Sequence, residues 1–140
     1  EAVVTALNGK SKEAFYTEFF ILDRDLETIL RNAGIKLEEF SSINTYSELW
    51  ARSRKNAFLF PGVQKSIRTA LLSLVEKGEG RRVRTDVDGA AEIIGLEKGR
   101  YYIIGTASLG KVGVTWSVPI SLKSGSNKIS LTLANCSWSL

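Results

Sequence analysis

The side chains in this chain that could do chemistry are few, and their spacing argues against the common mechanisms. There is no histidine, which removes Ser-His-Asp and Cys-His catalysis, the HExxH zinc site and Cys/His zinc clusters together. The one cysteine, Cys136, has no imidazole to take its proton, so it reads as a small hydrophobe or an incidental thiol. Asp86 and Asp88 beside Gly89 look like a fragment of a calcium loop, but the further oxygen ligands of such a loop do not follow in pattern. Asp-x-Asp-Gly is better explained as a tight turn shaped by Asx bonding and a glycine at positive φ. Gly78-Glu79-Gly80 lacks the Lys-Ser/Thr that closes a phosphate loop and follows a helical pattern, so it reads as a linker. No catalytic, cofactor-binding or metal-binding residue is expected, and the chain is read as a non-enzyme.

Three sets of residues could instead meet a ligand or partner. Arg81, Arg82 and Arg84, with Lys77 just before them, form the densest basic cluster and could contact an anionic glycan, a lipid head group or nucleic acid. Glu76 and Glu79 lie among them, which favours a solvated, partly paired surface. Trp116 could stack on a sugar, but it falls on the dry face of its strand, where core packing is the better reading. Tyr46, Trp50 and Trp138 are not committed in this way, and a cleft between helices and sheet could expose them.

The elements that must position these groups follow from length and periodicity. At 140 residues the chain has one domain's worth of sequence, so residues 1–140 are expected to form a single domain with its own core. A net charge of +4 spread along the chain is mild and supports neither nucleic-acid nor anionic-membrane binding, so no nucleic acid is expected as a partner, and no apolar run is long enough to cross a bilayer. The chain starts at Glu1, contains no Met and has no basic segment leading into an apolar one. It is therefore expected to be a product from which any leader has been removed.

Residues 2–8 read as a first strand, and Ala14–Leu22 as a second that becomes apolar on both faces toward its end. The period then lengthens. Asp23 is the expected N-cap of a first helix with Leu26, Ile29, Leu30 and Ala33 on its stripe and Gly34 at its end. Tyr46, Leu49, Trp50 and Ser53 share a face in a second helix; Pro61 opens a third that buries Ile67, Ala70, Leu71 and Leu74 and stops at Gly78. Residues 23–79 are thus a helical insertion. From Arg82 the β period returns: a strand to Thr85, another at Ala91–Ile94, the double-faced strand Arg100–Ala107, then Val112–Leu122, whose alternate residues are apolar and polar. Leu109-Gly110-Lys111 is the turn between the last two, and Pro119 requires a sheet edge or a partner that stops short of it. A final strand carries Ile129, Leu131 and Leu133 inward; Ala134–Leu140 shows no pattern.

These elements predict a mainly β fold, an antiparallel seven-stranded sandwich with about three helices inserted between the second and third strands. Phe15–Leu22 and Tyr101–Thr106 should be neighbours in the sheet whose outer face carries the helices. Val112–Leu122, with its polar face, should belong to the sheet the helices leave bare.

Thr85-Asp86-x-x-Gly89, followed by Gly95-Leu96-x-x-Gly99-x-Tyr101, resembles the signature of the carboxypeptidase regulatory-like domain, a transthyretin-like β-sandwich common in exported bacterial proteins. Asn8-Gly9-Lys10 with Ala14–Phe20 is similar to the opening of that family. The likeness covers the β portions, about half the chain. The helical insertion departs from most such domains and is similar to a subgroup of uncharacterised exported bacterial proteins with a Leu-Glu-x-Ile-Leu helix, here Leu26–Leu30. Ala91 stands where the family often has an aromatic residue. The resemblance implies an extracellular or periplasmic, non-catalytic accessory module without a cofactor. Such a module would contact a protein through the insertion or the bare sheet; a carbohydrate or small ligand held by surface aromatics is the alternative. Tyr46, Trp50, Trp138, Arg81, Arg82 and Arg84 are the candidate surface.

Overall fold

Phe19, Phe20, Ile21 and Leu22 are all buried, two on each side of one strand, and this double burial organises the fold. They belong to β2 (Glu18–Leu22) of a computed structural model that describes residues 2–7, 17–86, 90–109 and 112–139. Before β2 comes β1 (Ala2–Leu7); after it come α1 (Leu26–Asn32), α2 (Tyr46–Lys55) and α3 (Val63–Glu76). The chain continues as β3 (Gly80–Arg84), β4 (Ala90–Leu96), β5 (Gly99–Leu109), β6 (Val112–Leu122), β7 (Gly125–Ser130) and β8 (Trp138–Ser139). The three helices lie between the second and third strands, as the change of period predicts. Short 3-10 turns occupy Leu37–Glu39 and Leu133–Asn135.

Five strands form an antiparallel sheet in the order β3-β2-β5-β6-β8, and three form a second sheet in the order β4-β1-β7. The fold is therefore mixed α/β with a mainly antiparallel five-stranded sheet. The expectation of antiparallel pairing throughout fails at β7, which runs parallel to β1 from Ala2↔Gly125 to Leu7↔Ser130. After β6 the chain passes to the other sheet instead of folding back on β6. It then adds beside a strand pointing the same way. The tail holds the additional strand β8; two residues are too few for an alternating pattern to be read.

Phe20 lies opposite Ile104 and Phe19 opposite Gly105 in the β2–β5 ladder, so the two double-faced strands are neighbours as expected. One face sends Phe19, Ile21, Ile103 and Trp116 into a core that Leu96 of β4 and Leu131 share. The other sends Phe20, Leu22 and Ile104 against Leu26, Leu30, Leu49, Ile67 and Leu71 of the helices. Burial of each such side chain contributes about 1.5–3 kcal/mol, so the helical face holds a substantial share of the apolar stabilisation. At Gly105 an added Cβ would sit 2.6 Å from Cε1 of Phe19, so only glycine lets the phenyl ring cross the strand there.

The expected position of β6 is corrected. It lies beside β5 in the sheet that carries the helices, and its polar face meets them. Gly113 sits against Ala51, with 3.8 Å from an added Cβ to the Ala51 Cβ. The Thr115 hydroxyl donates to the Ser47 carbonyl at 2.7 Å, and Ser117 Oγ accepts from the Leu26 N–H at 3.0 Å. Glycine, threonine and serine are short enough for helices to approach closely, and the two hydroxyls find backbone partners on arrival. Alternation alone reads that face as wet. Pro119 pairs only with Tyr102 of β5; on its other side β8 pairs with Val114 and Thr115 and stops short, as the proline requires.

Asp25, not Asp23, caps α1, its carboxylate accepting from the Thr28 N–H at 3.2 Å. Asp23 instead holds Arg24 at 2.7 Å, and Arg24 also reaches Glu79 at 3.0 Å, tying together the two ends of the helical segment. Gly34 and Gly78 adopt φ 84° and 79°, the left-handed stops expected after α1 and α3. Pro61 lies two residues before the start of α3. The turns at Asn8-Gly9, Asp88-Gly89 and Gly110-Lys111, and the strand segment Ala14–Tyr16, fall outside the described residues.

Candidate functional site

Two clefts lie where helix meets sheet; Trp138 lines one, and Trp50 and Arg84 line the other. The first, about 610 Å³, is lined by Ser42, Ile43, Ala51, Arg52, Leu59, Phe60 and Trp138, among others. Trp138 comes from β8, Ala51 and Arg52 from α2, and Leu59 and Phe60 from the α2–α3 connection. The Arg52 guanidinium lies 5.3 Å from the centre of the Trp138 ring, a cation–π contact that covers one face of the indole.

Arg52 is aimed by a chain of hydrogen bonds that begins at the N-terminus of α2. Thr45 caps the helix, accepting from the Glu48 N–H at 3.1 Å. Glu48 returns the favour to the turn: its carboxylate accepts from the Asn44 N–H at 2.9 Å and from Arg52 Nε at 2.7 Å. The Asn44 N–H is the chief reason that the Glu48 carboxyl is held below the usual carboxylate range; burial opposes it, and Arg52 adds to the lowering.

Leu59, which lines this cleft, is 66% exposed, and its chain neighbour on the α2–α3 connection, Phe58, is 92% exposed. Among the described residues these are the large hydrophobic side chains left in water. Sequence reasoning missed them because Ala57-Phe58-Leu59-Phe60 sits between two helical patterns with no period of its own. A short apolar run outside any periodic stripe was the available signal.

The second cleft, about 460 Å³, lies between β2, the α2 C-terminal turn, the first turns of α3 and the end of β3. Arg54, Lys65, Arg68 and Arg84 line it with Glu18, over Phe20 and Trp50. Arg68 holds Glu18 with Nε and Nη2 at 2.9 and 3.1 Å, and Arg82 reaches the same carboxylate at 3.5 Å. The doubly bonded carboxylate raises the pKa of Arg68 above the usual guanidinium value.

The expected surface is thus divided. Tyr46 and Trp50 are corrected to core positions, 6% and 5% exposed. Both lie on the α2 face pressed against the sheet, where the Tyr46 hydroxyl donates to the Ile35 carbonyl at 2.6 Å. Trp50 touches the second cleft only as part of its floor. Trp138 is half-buried at the first cleft. Trp116 is in the core as expected, its Nε1–H donating to the Thr132 carbonyl at 2.9 Å. Arg81, Arg82 and Arg84 are all exposed, but strand alternation splits them. Arg82 and Arg84 share the helix-bearing side with Phe20 and Glu18; Arg81 turns to the opposite side with Val83. Cys136 is half-buried and packs beside the inter-sheet core.

Among the described residues no group of three or more acidic or cysteine side chains is placed to hold a metal ion, and no helix is long and apolar enough to cross a membrane. Compared with protein-family models, curated proteins and solved structures, the chain matches none of them.

Proposed function

We propose that this chain is a non-catalytic interaction module that binds a partner protein through its helical insertion, at the cleft between Trp138 and the α2–α3 connection. The observation that carries this reading is the exposure of Leu59, which lines that cleft, and of Phe58 beside it in the chain. Two adjacent large apolar side chains in water are a cost to a free protein and an asset to one that docks. Arg52 and Lys55 line the same cleft, so the fitting partner is a segment with an apolar anchor flanked by acidic residues.

Two sheets with a shared core, and an insertion between the second and third strands, support the further reading of the chain as a transthyretin-like sandwich of the carboxypeptidase regulatory-like kind, working outside the cytoplasm. Carbohydrate binding is the weaker alternative. Trp138 offers an indole at a cleft, but Arg52 already occupies one of its faces, and Tyr46 and Trp50 are taken up by the core.

The test is a peptide-display selection against the chain, repeated with the double variant Phe58→Ser, Leu59→Ser. Acidic peptides with an aromatic or aliphatic anchor, lost in the double variant, support the reading. A selection that returns no peptide, or peptides indifferent to both substitutions, rejects it. A saturable change in Trp138 emission on adding neutral oligosaccharides would favour the alternative.

A further inference from the structure

The second cleft carries an inference independent of the first. Four cationic side chains from three elements converge on it: Arg54 from α2, Lys65 and Arg68 from α3, and Arg84 from β3. One carboxylate, Glu18, faces them, and both of its oxygens are already engaged by Arg68 and Arg82. Lys65 and Arg84 have no carboxylate partner among the described residues. The excess positive charge sits in a concavity floored by Phe20 and Trp50, a low-dielectric apolar wall that excludes water, weakens screening and focuses the field. The volume, about 460 Å³, is several times what one tetrahedral oxyanion fills.

We propose that this cleft is an oxyanion site for a compact polyanion, a small molecule carrying two or more phosphate or sulfate groups. Guanidinium forks match the paired oxygens of such groups, and an ammonium supplies a mobile point charge beside them. Arg84 and Lys65 are the residues with charge to spare; Arg68 positions the wall through Glu18. A polyphosphate and a sulfated sugar present the same clustered oxyanions, and the experiment separates them.

Calorimetric titrations at about 0.15 M salt, where charges more than about 8 Å apart are largely screened, would use inorganic diphosphate in one arm and a heparin disaccharide in the other. At least one should bind saturably, and the double variant Lys65→Gln, Arg84→Gln should weaken it by about tenfold or more, as expected for lost hydrogen bonds to charged groups. The control is Lys98→Gln, Lys123→Gln, which removes the same charge from exposed positions outside the cleft and should leave affinity within about twofold at matched salt. Lys65→Gln alone, at an exposed helical position, keeps the test decisive if the cleft double variant fails to fold; it should still weaken binding several-fold. The proposal is overturned if neither anion saturates, or if the control weakens binding as much as the cleft variants do. Because Phe58 and Leu59 do not line this cleft, its failure leaves the peptide reading untouched, and the reverse holds.

Discussion

The hydroxyl of Thr115, in the middle of β6, donates to the carbonyl of Ser47 in the first turn of α2 at 2.7 Å. Thr115 is completely buried, and its neighbour across the β5–β6 ladder, Thr106, donates to the Val114 carbonyl at 2.9 Å. Helix and sheet are thus joined by a polar seam inside an otherwise apolar contact. Thr115→Val keeps the shape and removes the bond. It should cost about 1 kcal/mol and lower the melting temperature by a few degrees. Thr115→Ser, which keeps the hydroxyl, should recover the hydrogen-bond share of that loss, and urea unfolding of the three proteins measures it. A valine variant as stable as the parent would mean that the hydroxyl contributes nothing.

Gly105→Ala tests the crossing of Phe19 over β5. The new methyl would press on a ring that is itself packed 5.7 Å, centre to centre, from the fully buried Trp116. Overpacking of this kind costs about 1–3 kcal/mol or more. A variant as stable as the parent in denaturant would show that the ring has room to move.

Acid should unfold the chain partly through Glu48. Its folded-state pKa lies below the ordinary value of 4.5, so folding favours the ionised form. That stability is fully present above about 4.5 and drains away as the pH falls through the lowered folded value. Asp23 acts in the same sense, chiefly through its bond to Arg24. In urea titrations at pH 6, 5, 4 and 3 the parent should lose stability toward acid, and Glu48→Gln should lose less of it. A gap between the two proteins that stays constant or widens toward acid would contradict this account.

Acrylamide should reach one tryptophan of three. Trp50 and Trp116 are in the two cores, whereas Trp138 is half-buried at its cleft. Trp138→Phe should therefore remove most of the quenchable emission and leave a blue-shifted remainder. Arg52→Ala should raise quenching by uncovering the indole face. Unchanged quenching in Arg52→Ala would argue that the cation–π contact does not persist in solution.

Phe58→Ser and Leu59→Ser, needed for the peptide-binding test, should each leave unfolding free energy within about 0.5 kcal/mol of the parent, since both side chains stand in water. A loss of 2 kcal/mol or more would place them in the folded core's support rather than at a docking edge.

Much of the architecture was legible in local pattern. The apolar-on-both-sides signature of β2 and β5 announced a strand covered twice, and the helical stripes, with Gly34 and Gly78 as their stops, located the insertion. These features depend on residues one to four positions apart, and such spacing is written in the chain itself. The candidate site was less legible. Trp138 and the three arginines are near clefts or at the surface, but Tyr46 and Trp50 point into the core because α2 turns that face to the sheet. Phe58, Leu59, Lys65 and Arg68 were not singled out at all.

Sequence alone determined where period two yields to period 3.6 and returns, which strands must be buried on both faces, and, through the missing histidine, which catalytic chemistries this chain cannot use. Only the tertiary structure decided that β6 lies under the helices, that β7 pairs parallel with β1, and that Lys65 and Arg68 of a helix face Arg84 of a distant strand across one cleft. A threonine or glycine face is written identically whether water or a helix covers it. What covers it depends on the packing of segments far apart in the chain, where short side chains permit close approach and backbone carbonyls satisfy their hydroxyls.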